Sequence, residues 1–481
     1  RIMKAIKYFV AGALMLSIAA PSMAQDVKSQ VDAITKVVVD AKGDVVATKA
    51  PVKAFMKLNK KNAEALAGLG RAFLAAKNFE QAKVYADQAM KVGKTCAAGY
   101  VLRGDIASAE DDGGMAASYY EMATQQAPQD PTAYVKYARV YQKVDPKGAV
   151  AMLEKLRTVK PDYPVDAAAG YMYSSNNQLK SAMNYYDKVS NAASLEDYIL
   201  FDYASTAYVL EQYDKALTLS QTGIQKNPHY GSFNRIALYS SDKQKQYEAA
   251  VGYGKQLFAA TDTIKYTPND YIFYADALVN TGNVAAAVEA YKHLPEVDAD
   301  NKEYNKFIAQ AYAKGKMFAE AVAAYEQYLK DKGEEVTYKE YDDFADIYLE
   351  EAEAAANVEA KKAAFKKAAD IYGLIAEKFD YAAIYALSKQ ATAYYQINPD
   401  LKVGIALPYY QKLIQLIEAK DDKTAADTKK LATAYQYLAV HYIQNDKVAE
   451  AKQWASKLLE VRPDDETGKQ IMDLKYFLNI Q

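Results

Sequence analysis

The chain has almost none of the residues on which metal and redox chemistry depend: one cysteine, Cys96, and three histidines, His229, His293 and His441, among 481 residues. A single cysteine cannot close an internal disulfide. Histidines this scattered leave no HExxH pair, and one cysteine leaves no CxxC. A GxSxG nucleophile motif is also absent. Gly93-Lys94-Thr95 lacks the leading glycine of a phosphate loop, because Gln88 stands where it should be, so the triplet is expected to be a helix-terminating turn. Asp298-Ala299-Asp300-Asn301 opens like a calcium loop without its glycine or closing glutamate. No cofactor and no metal are expected, and an enzyme is disfavoured. Charge of one sign is missing as well. With 59 basic and 61 acidic side chains the formal net charge is −2, which leaves no electrostatic case for nucleic acid.

Long apolar runs are equally scarce. The one at the N-terminus, Tyr8 to Ala20, is 13 residues long, too short to span a bilayer unaided. It follows the basic start Met3-Lys4-Ala5-Ile6-Lys7 and precedes the small-x-small site Ser22-Met23-Ala24. This is the pattern of a secretory signal peptide over residues 1–24, cleaved after Ala24, with Arg1 and Ile2 ahead of the initiator Met3. Its removal takes Arg1, Lys4 and Lys7 and no acid, moving the net charge from −2 to −5. The mature chain is expected to begin at Gln25, in the periplasm or otherwise exported. No further membrane span is expected, and with Cys96 far from the cleavage site, no lipid anchor.

What the chain does have is repetition. Eleven alanines recur at Ala82, Ala116, Ala149, Ala182, Ala216, Ala250, Ala287, Ala321, Ala368, Ala406 and Ala451, separated by 34, 33, 33, 34, 34, 37, 34, 47, 38 and 45 residues. A period of this length means that one supersecondary unit was copied and stacked. A second register of small residues precedes them: Gly70, Gly104, Ala138, Gly170, Ala204, Ala275, Ala309, Ala345, Ala391 and Ala439, broken only by Leu238. An apolar residue, often tyrosine, follows most of these by three positions, on the same helical face. Four residues after many of the recurrent alanines stands a bulky partner: Tyr120, Leu153, Tyr186, Tyr291, Tyr325, Tyr372 or Tyr410. Small residues let two helix backbones approach, and the rings beside them fill the space. The unit is therefore an antiparallel helical hairpin. Turn-forming residues such as Lys77-Asn78, Asn176-Asn177, Lys314-Gly315-Lys316 and Asn445-Asp446 separate its two helices, and Pro128, Pro161, Pro228 and Pro463 fall between units.

This combination resembles the tetratricopeptide repeat (TPR). The resemblance runs from about Ala63 to Pro463 and is clearest from Tyr100 to Pro128, Asp166 to Ser194 and Leu200 to Pro228. It implies an all-α fold, an α-solenoid of about eleven TPR-like helical hairpins forming a right-handed superhelix. The expected organisation is a signal peptide (1–24), an N-terminal capping helical segment (25–62), the TPR solenoid (63–463) and a C-terminal capping helix (464–481). Val31, Ile34 and Val38 give the first cap its apolar face; Ile471, Leu474 and Leu478 are expected to do so for a closing helix from Glu466 to Leu478. The spacers Glu350 to Lys362 and Lys420 to Lys430 are expected to extend helices or to form solvated connectors.

Tyrosine is the remaining excess, 43 against one Trp, Trp454. Many are core rings of the repeat. Others fall at offsets that, by the resemblance, line a concave groove: Tyr171, Phe201, Tyr208, Arg235, Tyr239, Ile272 and Tyr395, joined by Arg71 and Arg139. Rigid amphipathic rings with arginine suit a protein or peptide partner. The family's chaperone-tail clamp is not matched, since Lys306 precedes Gln310 and not an asparagine. The expectation is an exported, non-enzymatic scaffold of a Gram-negative bacterium, acting through its groove in a cell-envelope assembly, possible association with an outer-membrane complex included. The alternative is a glycan binder of the outer-membrane nutrient-uptake type using exposed tyrosines, against which the lack of Trp and of an anchor cysteine counts.

Overall fold

A computed structural model describes residues 22–260 and 264–474. The signal peptide expected over residues 1–24 lies almost wholly outside them, as does Leu478. The described residues are helical with no strand among them, and they fall into two compact units that divide between Asn227 and Pro228.

In the first unit five hairpins follow one another. They pair Ala63–Ala75 with Phe79–Val92, Ala98–Ala109 with Gly113–Gln126, Pro131–Tyr141 with Pro146–Val159, Val165–Ser174 with Leu179–Tyr186, and Asp197–Val209 with Tyr213–Lys226. The second unit holds six: Ser232–Lys243 with Tyr247–Phe258, Pro268–Asn280 with Val284–Lys292, Tyr304–Lys314 with Phe318–Lys332, Tyr338–Ala354 with Val358–Lys378, Ala383–Ile397 with Leu407–Glu418, and Ala425–Gln444 with Val448–Val461. Within each unit a second helix packs on its own first helix and on the first helix of the next hairpin. Several consecutive first helices also touch each other directly, which puts them in the crowded, inner row.

The two registers of small residues explain this packing. Every one of the eleven recurrent alanines is completely buried. Gly104 and Gly170 show why some positions tolerate nothing larger: a Cβ on Gly104 would lie 2.4 Å from the Tyr120 ring, and one on Gly170 2.6 Å from Tyr186. In those hairpins the ring four residues after the alanine occupies the volume that a side chain on the first helix would need. Leu238, the exception in the register, is also fully buried.

Eight of the eleven hairpin turns are closed by one device. Lys77, Asp111, Asn177, Glu211, Lys245, Gly282, Lys316 and Asp446 have φ between 58° and 80°, the left-handed region that ends helices. The amide that follows each of them donates to a carbonyl five residues back, as in Asn78 to Phe73 at 2.9 Å and Gln246 to Ser241 at 2.8 Å. This is the 6→1 bond of a Schellman motif. Only one of the eight is glycine, so the other seven carry the steric cost of that conformation. Glu211→Gly and Lys245→Gly are each expected to stabilise by roughly 0.5–1 kcal/mol, the relief of that cost less the added backbone entropy of glycine. Denaturant midpoints that fail to rise would rule this out.

At the N-terminal end, helix Ser22–Asp40 runs along helix Ala63–Ala75, burying Ile34 and Val38, with Val31 beside Gly68. A further helix, Lys49–Asn59, follows it. At the other end the final helix, Glu466–Asp473, is shorter than expected. Ile471 is buried as its spacing requires, but Leu474 lies beyond the helix and is 42% exposed. The spacer at 350–362 extends two helices and breaks over 355–357; the one at 420–430 is a connector to Lys423 and helix from Ala425.

Candidate functional site

Carboxylates on the first helices accept hydrogen bonds from tyrosines, among them buried rings of the neighbouring second helices. In the first unit, Asp105 accepts from the Tyr120 hydroxyl and from Lys136 Nζ, both at 2.7 Å. Asp202 accepts from the Tyr186 hydroxyl at 2.6 Å and from Ser174 at 2.9 Å. These bonds link a second-helix ring to a carboxylate on a first helix, so each acid ties layers together. Burial, and then the facing carboxylate, push the Tyr120 and Tyr186 hydroxyls far above the usual tyrosine range. Burial also raises Asp202, against the opposing effect of its two donors.

Around Arg139 the arrangement differs. Arg139 is exposed on helix Pro131–Tyr141. Burial raises the Tyr163 and Tyr198 hydroxyls, and the Arg139 charge acts against that rise at both. Tyr171 meets Tyr198 edge-to-face with ring centroids 5.3 Å apart, and Tyr198 is 51% exposed. Thus Arg139 and Tyr171, both expected to line a groove, share a neighbourhood with Tyr163 and Tyr198, which the sequence reading passed over. Tyr198 was legible, since it lies one turn before Phe201 on the same helix. Phe201 and Tyr208 are half-buried on helix Asp197–Val209, and Arg71 is exposed on helix Ala63–Ala75.

In the second unit, two of the expected groove residues are committed internally. Arg235 donates through Nε and Nη2 to both oxygens of Asp270, at 2.7 and 2.8 Å, and through Nη2 to the Lys265 carbonyl at 2.8 Å. The Tyr239 hydroxyl donates to the same carboxylate at 2.6 Å, and Tyr239 is only 7% exposed. Asp270 is fully buried and also accepts from the Thr267 amide at 2.8 Å as part of a capping box. Tyr239 is therefore packing and not open lining, because its hydroxyl is held by an acid on the next first helix. Ile272 and Tyr395 sit half-buried at the margins of apolar clusters, Tyr395 edge-on to Tyr437 at 6.2 Å. Further along, Lys306 pairs with Asp343 at 2.7 Å and Tyr385 donates to Asp342 at 2.8 Å.

One carboxyl in this unit stands out. Asp242, on helix Ser232–Lys243, is buried, its Oδ1 lacks a hydrogen-bond partner, and Asp276 of the next first helix faces it. Burial first, and then Asp276, push it up to about 7, against the pull of Lys243. Tyr247 and Tyr291 feel both acids from the adjoining second helices. The folded state holds a proton here that the unfolded chain releases. The associated stability is thus complete below the ordinary carboxyl pKa of about 4 and is lost as pH rises to about 7. Asp242→Asn is expected to remove this loss, so that urea midpoints of wild type and variant diverge between pH 5 and pH 8. Parallel midpoints would contradict the assignment.

Among the described residues no cluster of three or more His, Cys, Asp or Glu could hold a metal ion, and no helix is long and apolar enough to cross a membrane. Gly93 caps helix Phe79–Val92, as expected of a turn.

The geometry defines the class: an all-α protein of stacked TPR-like hairpins whose inner helices carry rings, acids and arginines. No protein-family model matches the chain, and no curated protein matches it. Solved structures similar to it include the C-terminal part of a TPR repeat-containing protein from Cytophaga hutchinsonii, 18% identical over 57% of this chain and 100% of that one, with a TM-score of 0.42. A tetratricopeptide repeat protein from Parabacteroides merdae is 14% identical over 52% of this chain and 98% of that one, with a TM-score of 0.33. The pilF protein of Pseudomonas aeruginosa is 14% identical over 52% of this chain and 99% of that one, with a TM-score of 0.31.

Proposed function

We propose that this protein is a non-enzymatic, exported scaffold that holds a protein or peptide against its first helices, in a cell-envelope assembly that could include an outer-membrane complex. The observation that carries the reading is the neighbourhood of Arg139, Tyr171 and Tyr198, where an exposed guanidinium and an exposed ring stand beside the half-buried ring of Tyr171. The basic start, apolar stretch and Ser22-Met23-Ala24 site support export. A photoreactive amino acid placed at Tyr171 in the full chain, in intact cells, should crosslink one protein in stoichiometric yield. The same residue at Thr218, exposed on a second helix, should not. Equal crosslinking at both positions would defeat the proposal, and saturable binding on a glycan array that Tyr198→Ala abolishes would replace it with the sugar-binding alternative. N-terminal sequencing of the secreted form should begin at Gln25.

A further inference from the structure

First helices Ser232–Lys243 and Pro268–Asn280 touch directly, and both lie in the second unit. Their contact changes character along its length. Toward the N-terminal ends Asp270 clamps Arg235 and Tyr239. In the middle the Tyr239 and Phe273 rings lie with centroids 4.5 Å apart. Three residues after each ring, one turn further along the same faces, Asp242 meets Asp276. The surroundings do little to offset this meeting of like groups. Asp242 is 9% exposed and its Oδ1 has no hydrogen-bond partner, while Asp276 is half-buried. Burial and Asp276 raise the Asp242 carboxyl, and Lys243 on the same helix pulls against them, although its ammonium stands over the Phe273 ring, 5.1 Å from the centroid. The adjoining second helices present Tyr247 and Tyr291, whose hydroxyls are held above the usual tyrosine range by burial and then by the two acids, and so stay neutral. Two carboxylates in such a place repel, whereas one proton between them makes a hydrogen bond of the same contact.

We infer that this seam is a proton-operated hinge: a single proton shared by Asp242 and Asp276 holds the C-terminal ends of the two first helices together, and its loss parts them there while the Asp270 clamp keeps the N-terminal ends joined. Arg235 keeps its charge throughout the neutral range, so the clamp acts as the pivot. First helices form the inner row, and the inner wall therefore widens at this joint as the medium passes from mildly acidic to mildly alkaline. With the closed carboxyl at about 7 and the opened one near the ordinary value of about 4, the closed form loses about tenfold of its advantage between pH 6 and pH 8.

The test is amide hydrogen exchange of the full chain at pH 6 and pH 8, read by mass spectrometry and corrected for the intrinsic exchange rate at each pH. In the wild type, protection over residues 239–246 and 273–280 is expected to fall about tenfold between the two, while residues 232–238 and 267–271 keep theirs. Asp242→Asn leaves an uncharged group of the same shape in the seam and should abolish the fall. Asp276→Asn offers an amide donor to the Asp242 carboxylate and should shrink it. Equal protection at both pH values in the wild type overturns the inference, as does a fall spread evenly along the chain, which would mean loss of overall stability without a hinge. A fall that Asp276→Asn leaves unchanged also overturns it, since the proton would then belong to Asp242 alone.

Discussion

Ala216→Arg is expected to cost about 4 kcal/mol or more, the largest loss from any single exchange considered. Ala216 is completely buried on helix Tyr213–Lys226. Enlarging a packed site costs about 1–3 kcal/mol, and a guanidinium forced in there adds the cost of a buried charge without a partner. Thermal unfolding should fall by on the order of 10 °C. Thr218→Arg, two residues away and exposed, should change stability by no more than about 0.5 kcal/mol. Matching melting curves for the two variants would mean that the alanine register does not mark the helix contacts.

The second large effect is expected at Asp270. Its carboxylate receives Arg235, Tyr239 and the Thr267 amide at once, with no exposure to solvent. Asp270→Ala strips the guanidinium of its carboxylate in a buried setting and opens the helix cap. Breaking a buried ion pair from one side costs about 3–5 kcal/mol, and losing a cap about 1 kcal/mol. Because both act through one residue they will not sum fully, and a net loss of about 4 kcal/mol is expected in urea unfolding. Arg235→Lys should show an intermediate loss, since an ammonium cannot make the two parallel bonds. A loss below about 1 kcal/mol in Asp270→Ala would show that the network does not tie the two first helices together.

These two sites differ in how far the amino-acid order reveals them. Ala216 could be read because burial at a helix contact demands a tiny side chain, and that demand repeats with every hairpin. The Asp270 network has no such trace. Its Thr267-to-Asp270 cap is a local pattern and could have been found, but Arg235 reaches it from 35 residues away, a pairing that only the stacking of hairpins creates. Arg235 and Tyr239 are thus expected at an open surface by register, while a buried acid one hairpin on holds both. Asp242 escaped notice for the same reason, its partner Asp276 being supplied by the next hairpin. The turns show a subtler difference. Composition points to Gly315 as the helix breaker, yet the left-handed residue is its neighbour Lys316, because distance from the following alanine sets the position and residue type does not.

That distance is constant. In all eight turns the left-handed residue stands five places before the recurrent alanine, from Lys77 and Ala82 to Asp446 and Ala451. The spacing between alanines nevertheless reaches 37 residues before Ala287 and 45 before Ala451. Counting therefore starts afresh at each bend, so extra residues accepted upstream are forgotten by the time the next pair of helices meets. A chain built in this way can grow or shrink at its connectors over evolutionary time without these eight joints losing step.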